Sequence, residues 1–206
     1  MFEFILDVSL KTGFIIIPLF LMGLWGWFIL LKTYTFLKIQ EKPATIIKWD
    51  KFVLALETEN LAKLKKKFTL YQDCAYAEFI LMILNNLHTS ERHLQTLHNG
   101  FMIKKINKHL QNLKTVKIFA ATAPLLGLLG TVIGMIHTFN IISLYGNANP
   151  VLMADGISEA LLTTQSGLIV AFPLLFMYVI FNNKLKRLNN AMNDVVTEIN
   201  HSRKLD

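Results

Sequence analysis

The chain has 206 residues, of which 53% are hydrophobic and 17% charged, and its mean hydropathy is +0.42. Soluble domains sit nearer to about 45–50% apolar and about 25% charged, so the composition points to a membrane protein. The net charge of +7 then reads as membrane topology rather than nucleic-acid binding, because Lys and Arg stay on the cytoplasmic side. The single cysteine, Cys74, excludes an intrachain disulfide and a thiolate-built metal site. No His adjoins it, so it reads as an ordinary, partly buried thiol.

Residues 1–12 form an amphipathic lead-in that carries Glu3 and Asp7 instead of the basic start of a cleavable signal. The stretch Gly13 to Leu31 follows, with 19 uncharged residues. About 20 residues cross the roughly 30 Å hydrocarbon core, and residues 13–36 are predicted as the first transmembrane helix. Trp25, Trp27 and Tyr34 lie toward its end, where amphipathic rings favour the membrane–water boundary.

Residues 37–116 are a cytoplasmic helical domain by composition. Between Lys38 and Lys117 there are 14 Lys or Arg against 7 Asp or Glu. Pro43 is expected to break the chain after the membrane exit. Leu54, Ala55, Leu61, Ala62, Leu64 and Phe68 suggest short helices, and the run Lys65-Lys66-Lys67 reads as a solvated face or a lipid-headgroup contact. From Leu84 onward apolar residues recur at spacings of 3, 4 or 7, which predicts one helix running without interruption into the next span.

Residues 117–140 are the predicted second transmembrane helix. The turn formers of YGNANP, Tyr145 to Pro150, place a periplasmic loop over 141–155. Residues 156–182 are the third span, and 183–206 continue as a cytoplasmic helix with a stripe of Leu185, Leu188, Met192, Val195, Val196 and Ile199. Positive charge lies between spans one and two and after span three, and none lies between spans two and three, which orients the chain N-out and C-in. The fold class is an all-α membrane protein with three transmembrane helices, two of which extend into the cytoplasm.

On the second span, Gly127, Thr131, Gly134 and Thr138 share one face by spacing, and Gly130 with Gly134 makes a GxxxG pair. On the third, Ala160, Thr164, Gly167 and Ala171 repeat that spacing. Small faces let helices approach closely in lipid, where no hydrophobic drive exists. Such a stripe is by itself as compatible with packing as with an ion path. Thr131 lies 9 residues before Asn140 and Thr164 lies 9 after Asp155. The two hydroxyls thus sit at matching depths, about 13–14 Å from the outer end. No Asp or Glu lies deep in any span. Glu159 is the nearest, one turn above Thr164, and reads either as a proton collector at the mouth or as a helix-start carboxylate. A proton path needs a titratable group within the membrane, so that group would come from another chain. His137 reads as structural. Pro124 and Pro173 interrupt the two spans as kinks or hinges. No phosphate loop, nucleophile elbow or metal-ligand spacing is present, so neither an enzyme nor a cofactor is expected.

The segments APLLGLLGTVIGMIHTF (Ala123–Phe139) and GISEALLTTQSGLIVAFP (Gly156–Pro173) resemble the ExbB/TolQ/MotA proton-channel family. The resemblance covers about residues 85–190, and residues 1–84 share only the layout. It implies a homopentamer in the bacterial inner membrane, enclosing a single-span partner of ExbD/TolR type that supplies the membrane aspartate. It also implies that Thr131 and Thr164 line the pore, with Glu159 above them. Three spans with one large loop between the first two resemble ExbB and TolQ more than MotA. The expected duty is that of ExbB, coupling proton motive force to a TonB-like envelope protein. TolQ-type duty with a TolA-like protein in the Tol-Pal system, or a non-conducting oligomeric scaffold, are the alternatives. Gln165 and Ser166 depart from the small apolar residues commoner at those positions and leave ion selectivity open.

Overall fold

The computed structural model describes residues 15–46, 65–66, 68–69, 74–87, 89–145 and 150–202. The lead-in over 1–12, the helices expected around Leu54 to Leu64 and the centre of the loop after Tyr145 lie outside them.

Among the described residues the elements are all helical. They are α1 (Ile16–Ile46), α2 (Ala75–Asn85), α3 (Glu91–Met102), a π-helical segment (Ile103–Asn107), α4 (Lys108–Tyr145) and α5 (Pro150–Ser202). Three of the helical stretches, Ile16–Gln40, Glu91–Leu144 and Met153–Thr197, are long and apolar enough to cross a membrane.

Two expectations are corrected here. Pro43 does not end α1, which continues to Ile46. Proline so near a helix end removes one backbone bond and one turn's regularity without forcing termination. The helix expected to run unbroken from Leu84 is interrupted. Leu84 lies in the last turn of α2, which ends at Asn85, and Ser90 starts a new helix by accepting a hydrogen bond from the His93 N–H (3.4 Å). The turn-forming cluster Asn85-Asn86 and Thr89-Ser90 outweighs the apolar spacing there. The switch to π-helix over Ile103–Asn107 then adjusts the phase of the apolar stripe before α4 begins.

By contact, the chain forms two compact units. One contains residues 1–30 and 113–179. Here α1, α4 and α5 pack through small residues, while Leu21, Trp25, Phe28, Leu125, Leu161 and Phe172 are exposed on the outer faces. A surface apolar on every side suits hydrocarbon and does not suit water. Gly23 of α1 packs against Val170, and Gly26 against Leu174, which is fully buried.

The other unit contains residues 31–112 and 180–206. Its core is a conventional one of large side chains. Phe79, Ile80 and Ile83 of α2, Leu94 of α3 and Ile106 of the π segment pack with Met192 and Val195 of α5. The stripe read from the tail sequence is buried from Leu185 to Ile199. Cys74 is fully buried rather than partly so. Burial raises its pKa, as its thiol donates to Gln40 Oε1 at 2.9 Å. The same oxygen accepts the Tyr76 N–H at 3.2 Å. Cys74 itself, at the N-cap of α2, makes no side-chain cap bond, so Gln40 of α1 supplies that acceptor from 36 residues away. His109 stacks on Phe36 with ring centroids 4.0 Å apart.

Candidate functional site

The candidate site is the seam between α4 and α5 in the first unit. Its geometry follows from the glycines. A Cβ added at Gly127 would lie 3.0 Å from the Thr163 carbonyl oxygen and from Thr164 Cα, so the two backbones are in direct contact there. At Gly134 an added Cβ would meet Ala160 Cβ at 2.9 Å, and at Gly167 it would meet the Ala123 carbonyl oxygen at 2.8 Å. These approaches fall inside the roughly 3.5–4.0 Å that carbon atoms prefer. Only glycine permits them, and they bring backbone carbonyls within reach of hydroxyls on the other helix.

The buried stripe of α4 runs Ala123, Gly127, Gly130, Gly134 and Thr138. The buried stripe of α5 runs Gly156, Ala160, Thr163, Gly167, Ala171 and Leu174. Each differs at one member from the face expected from spacing. Gly130 takes the place expected for Thr131, and Thr163 the place expected for Thr164. Thr131 and Thr164 are both half-buried, at the margin of the seam. Thr131 is 14 residues before the end of α4 (145 − 131) and Thr164 is 14 after the start of α5 (164 − 150). That is about 21 Å along each helix.

Thr131 Oγ1 donates to its own helix, to the Leu128 carbonyl at 2.7 Å. Thr164 Oγ1 donates across the seam, to the Gly127 carbonyl at 3.2 Å. The two threonine hydroxyls are thus not bonded to each other in the single chain. Thr163, absent from the expected set, is 2% exposed and donates to the same Gly127 carbonyl at 3.2 Å and to the Ala160 carbonyl at 2.7 Å. The signal for Thr163 was present in the sequence. It stands three residues after Ala160 and four before Gly167, and so continues the small-residue spacing as well as Thr164 does.

Glu159 is half-buried beside the Gly134–Ala160 contact. His137 is exposed. Pro124 and Pro173 line one apolar groove of about 650 Å³ together with Ala120, Leu168, Ile169 and Phe172. Each proline deprives the carbonyl four residues earlier of its helical donor, and those carbonyls belong to Ala120 and Ile169, both in the same groove. Both helices continue through their prolines. Among the described residues no group of three or more His, Cys, Asp or Glu could hold a metal ion. The seam therefore offers hydroxyls and carbonyls, which can relay or coordinate a proton carrier, and no carboxylate at the level of Thr164.

The comparisons with known proteins fit that arrangement. Residues 73–194 match the MotA/TolQ/ExbB proton channel family. The chain is 31% identical over 185 residues to the biopolymer transport protein ExbB-like 1 of Synechocystis, covering 84% of this chain and 69% of that one. It is 30% identical over 118 residues to the biopolymer transport protein exbB1 of Vibrio cholerae, covering 56% and 50%. It is 36% identical over 79 residues to the ExbB of Salmonella typhimurium, covering 38% and 32%. With more than half of its length inside the family match and three apolar helices able to span a bilayer, this chain is a multi-pass membrane protein of the MotA/TolQ/ExbB proton channel family, and not an enzyme.

Proposed function

We propose that the chain is an ExbB-type subunit of the bacterial inner membrane that couples proton motive force to work on a TonB-like envelope protein. Its N-terminus is outside and its C-terminus in the cytoplasm. It assembles as a homopentamer around a single-span, ExbD/TolR-like partner. Protons pass along the α4–α5 seam by way of Thr131 and Thr164, with Glu159 gathering them at the mouth.

The observation that carries this reading is the hydroxyl–carbonyl seam at Gly127, which has two hydroxyls on one carbonyl and no acid of its own. A proton path through hydrocarbon needs a titratable group. The membrane aspartate of a partner helix would complete the set. The similarity to proteins named for biopolymer transport favours ExbB duty over TolQ duty.

Proton flux into liposomes carrying the complex tests the assignment. Thr164→Ala and Thr131→Ala are each expected to abolish pH-driven flux, with the oligomer intact by native mass spectrometry. Unchanged flux in both variants would remove the pore-lining assignment and leave a packing scaffold.

A further inference from the structure

The Gly127 carbonyl is approached by two hydroxyls at the same distance. Thr163 Oγ1 and Thr164 Oγ1 both lie 3.2 Å from it. A backbone carbonyl has two lone pairs, and inside a helix one of them serves the N–H four residues on. One position therefore remains for two donors. The two threonines differ in what else they can do. Thr163 has a second acceptor, the Ala160 carbonyl of its own helix, at the shorter distance of 2.7 Å. Its one hydroxyl proton can serve only one carbonyl at a time. It is also enclosed, with a Cβ added to the facing Gly130 falling 2.5 Å from Thr163 Cβ. Thr164 is half-buried and stands at the edge of the seam.

We propose that Thr163 is a positioning residue for proton transfer. Its hydroxyl rests on Ala160 while Thr164 holds the Gly127 carbonyl, and it swings to Gly127 when Thr164 turns away to exchange a proton. The swing keeps one hydroxyl bond between α4 and α5 at every stage, so Thr164 can leave without parting the helices. No bond other than hydrogen bonds forms or breaks at Thr163, and its proton stays on its own oxygen. This inference rests on the reading of Thr164 as part of the proton path.

The experiment uses the complex purified from its own membrane, with two readouts. The first is the carbonyl 13C shift of Gly127 by solid-state NMR in lipid. Thr164→Val alone is expected to leave that carbonyl hydrogen-bonded, because Thr163 takes it over. The double variant Thr163→Val with Thr164→Val is expected to lose the bonded shift. Loss of the shift in Thr164→Val alone overturns the proposal. The second readout is proton flux in liposomes. Thr163→Val, which keeps the shape and removes the hydroxyl, is expected to slow flux about fivefold, the population ratio set by one typical hydrogen bond. Thr163→Ser is expected to restore it. Parent-like flux in Thr163→Val together with lost flux in Thr164→Ala overturns the proposal while the pathway stands. Parent-like flux in Thr164→Ala removes the pathway, and the proposal with it.

Discussion

Gly127→Ala and Gly100→Ala make the same chemical change in two helices and are expected to act in opposite directions. At Gly100, in α3, nothing lies within 4 Å of the added methyl. Only the gain in helix propensity remains, roughly 0.8–1 kcal/mol. At Gly127 the same gain is opposed by a methyl placed 3.0 Å from Thr163 O and Thr164 Cα. Both of those atoms are backbone, so no rotamer change relieves the contact. To relieve the contact the two helices must part by a few tenths of an ångström. That carries the hydroxyls of Thr163 and Thr164, now 3.2 Å from the Gly127 carbonyl, to the limit of hydrogen bonding. Overpacking costs about 1–3 kcal/mol, and each interhelical bond in a membrane contributes about 0.6 kcal/mol. After the propensity gain, Gly127→Ala is destabilising by roughly 1–3 kcal/mol. At about 2–4 °C per kcal/mol for a chain of this size, its melting temperature falls by roughly 2–12 °C, while that of Gly100→Ala rises by about 2–4 °C. Thermal unfolding in lipid nanodiscs, followed by tryptophan fluorescence, reads both. A Gly127→Ala protein as stable as the parent would refute the direct backbone contact between α4 and α5.

Three further outcomes are expected. Gln40→Leu leaves the buried Tyr76 N–H and the Cys74 thiol without their acceptor, at a cost of about 1–3 kcal/mol; hydrogen exchange at the Tyr76 amide is expected to lose its protection. Burial holds His98 below its ordinary value near 6.5, and burial with Lys32 and Lys108 nearby does the same for His109. Above pH 6.5 both are neutral whether folded or unfolded. Below it the unfolded chain takes up protons that the folded one refuses, so stability falls as pH drops from 6.5 toward the lowered folded values; His98→Asn with His109→Gln is expected to flatten the melting-temperature profile between about pH 6.5 and pH 5. Glu78→Gln breaks the 2.8 Å ion pair with Lys105, both of them substantially exposed, and is expected to change stability by less than about 1 kcal/mol in chemical denaturation.

The spans were legible because a bilayer enforces length and absence of charge, and both are visible in residues 13–31, 118–154 and 160–183. The interruption near residue 145 was legible for the same reason: turn formers stand out against uncharged helix. The seam was legible only to within one position. At 3.6 residues per turn, Gly127 and Gly134 belong equally to a stripe through Gly130 and to one through Thr131, and the choice depends on which face meets α5. The adjacent pair Thr163-Thr164 carries the same ambiguity. Gln40 left no signal at all, because its partners Cys74 and Tyr76 are brought to it only by tertiary folding. The break before Ser90 is visible in Asn85-Asn86 and Thr89-Ser90, whose turn and cap chemistry outweighs the apolar spacing that runs across it.

The α4–α5 seam also differs from the Phe79–Ile106–Met192 core in its response to temperature. Parting the seam within a bilayer exchanges contacts with small residues for contacts with lipid chains and exposes almost no apolar surface to water. It therefore carries little of the heat-capacity change that curves an ordinary stability profile. A core of large apolar side chains whose unfolding exposes them to water carries that change in full and weakens on cooling as well as on heating. The seam's strength should vary nearly linearly with temperature, with no maximum near room temperature. In the cold, the first part of this protein to loosen would be its core of large side chains, with the glycine contacts of the seam still closed.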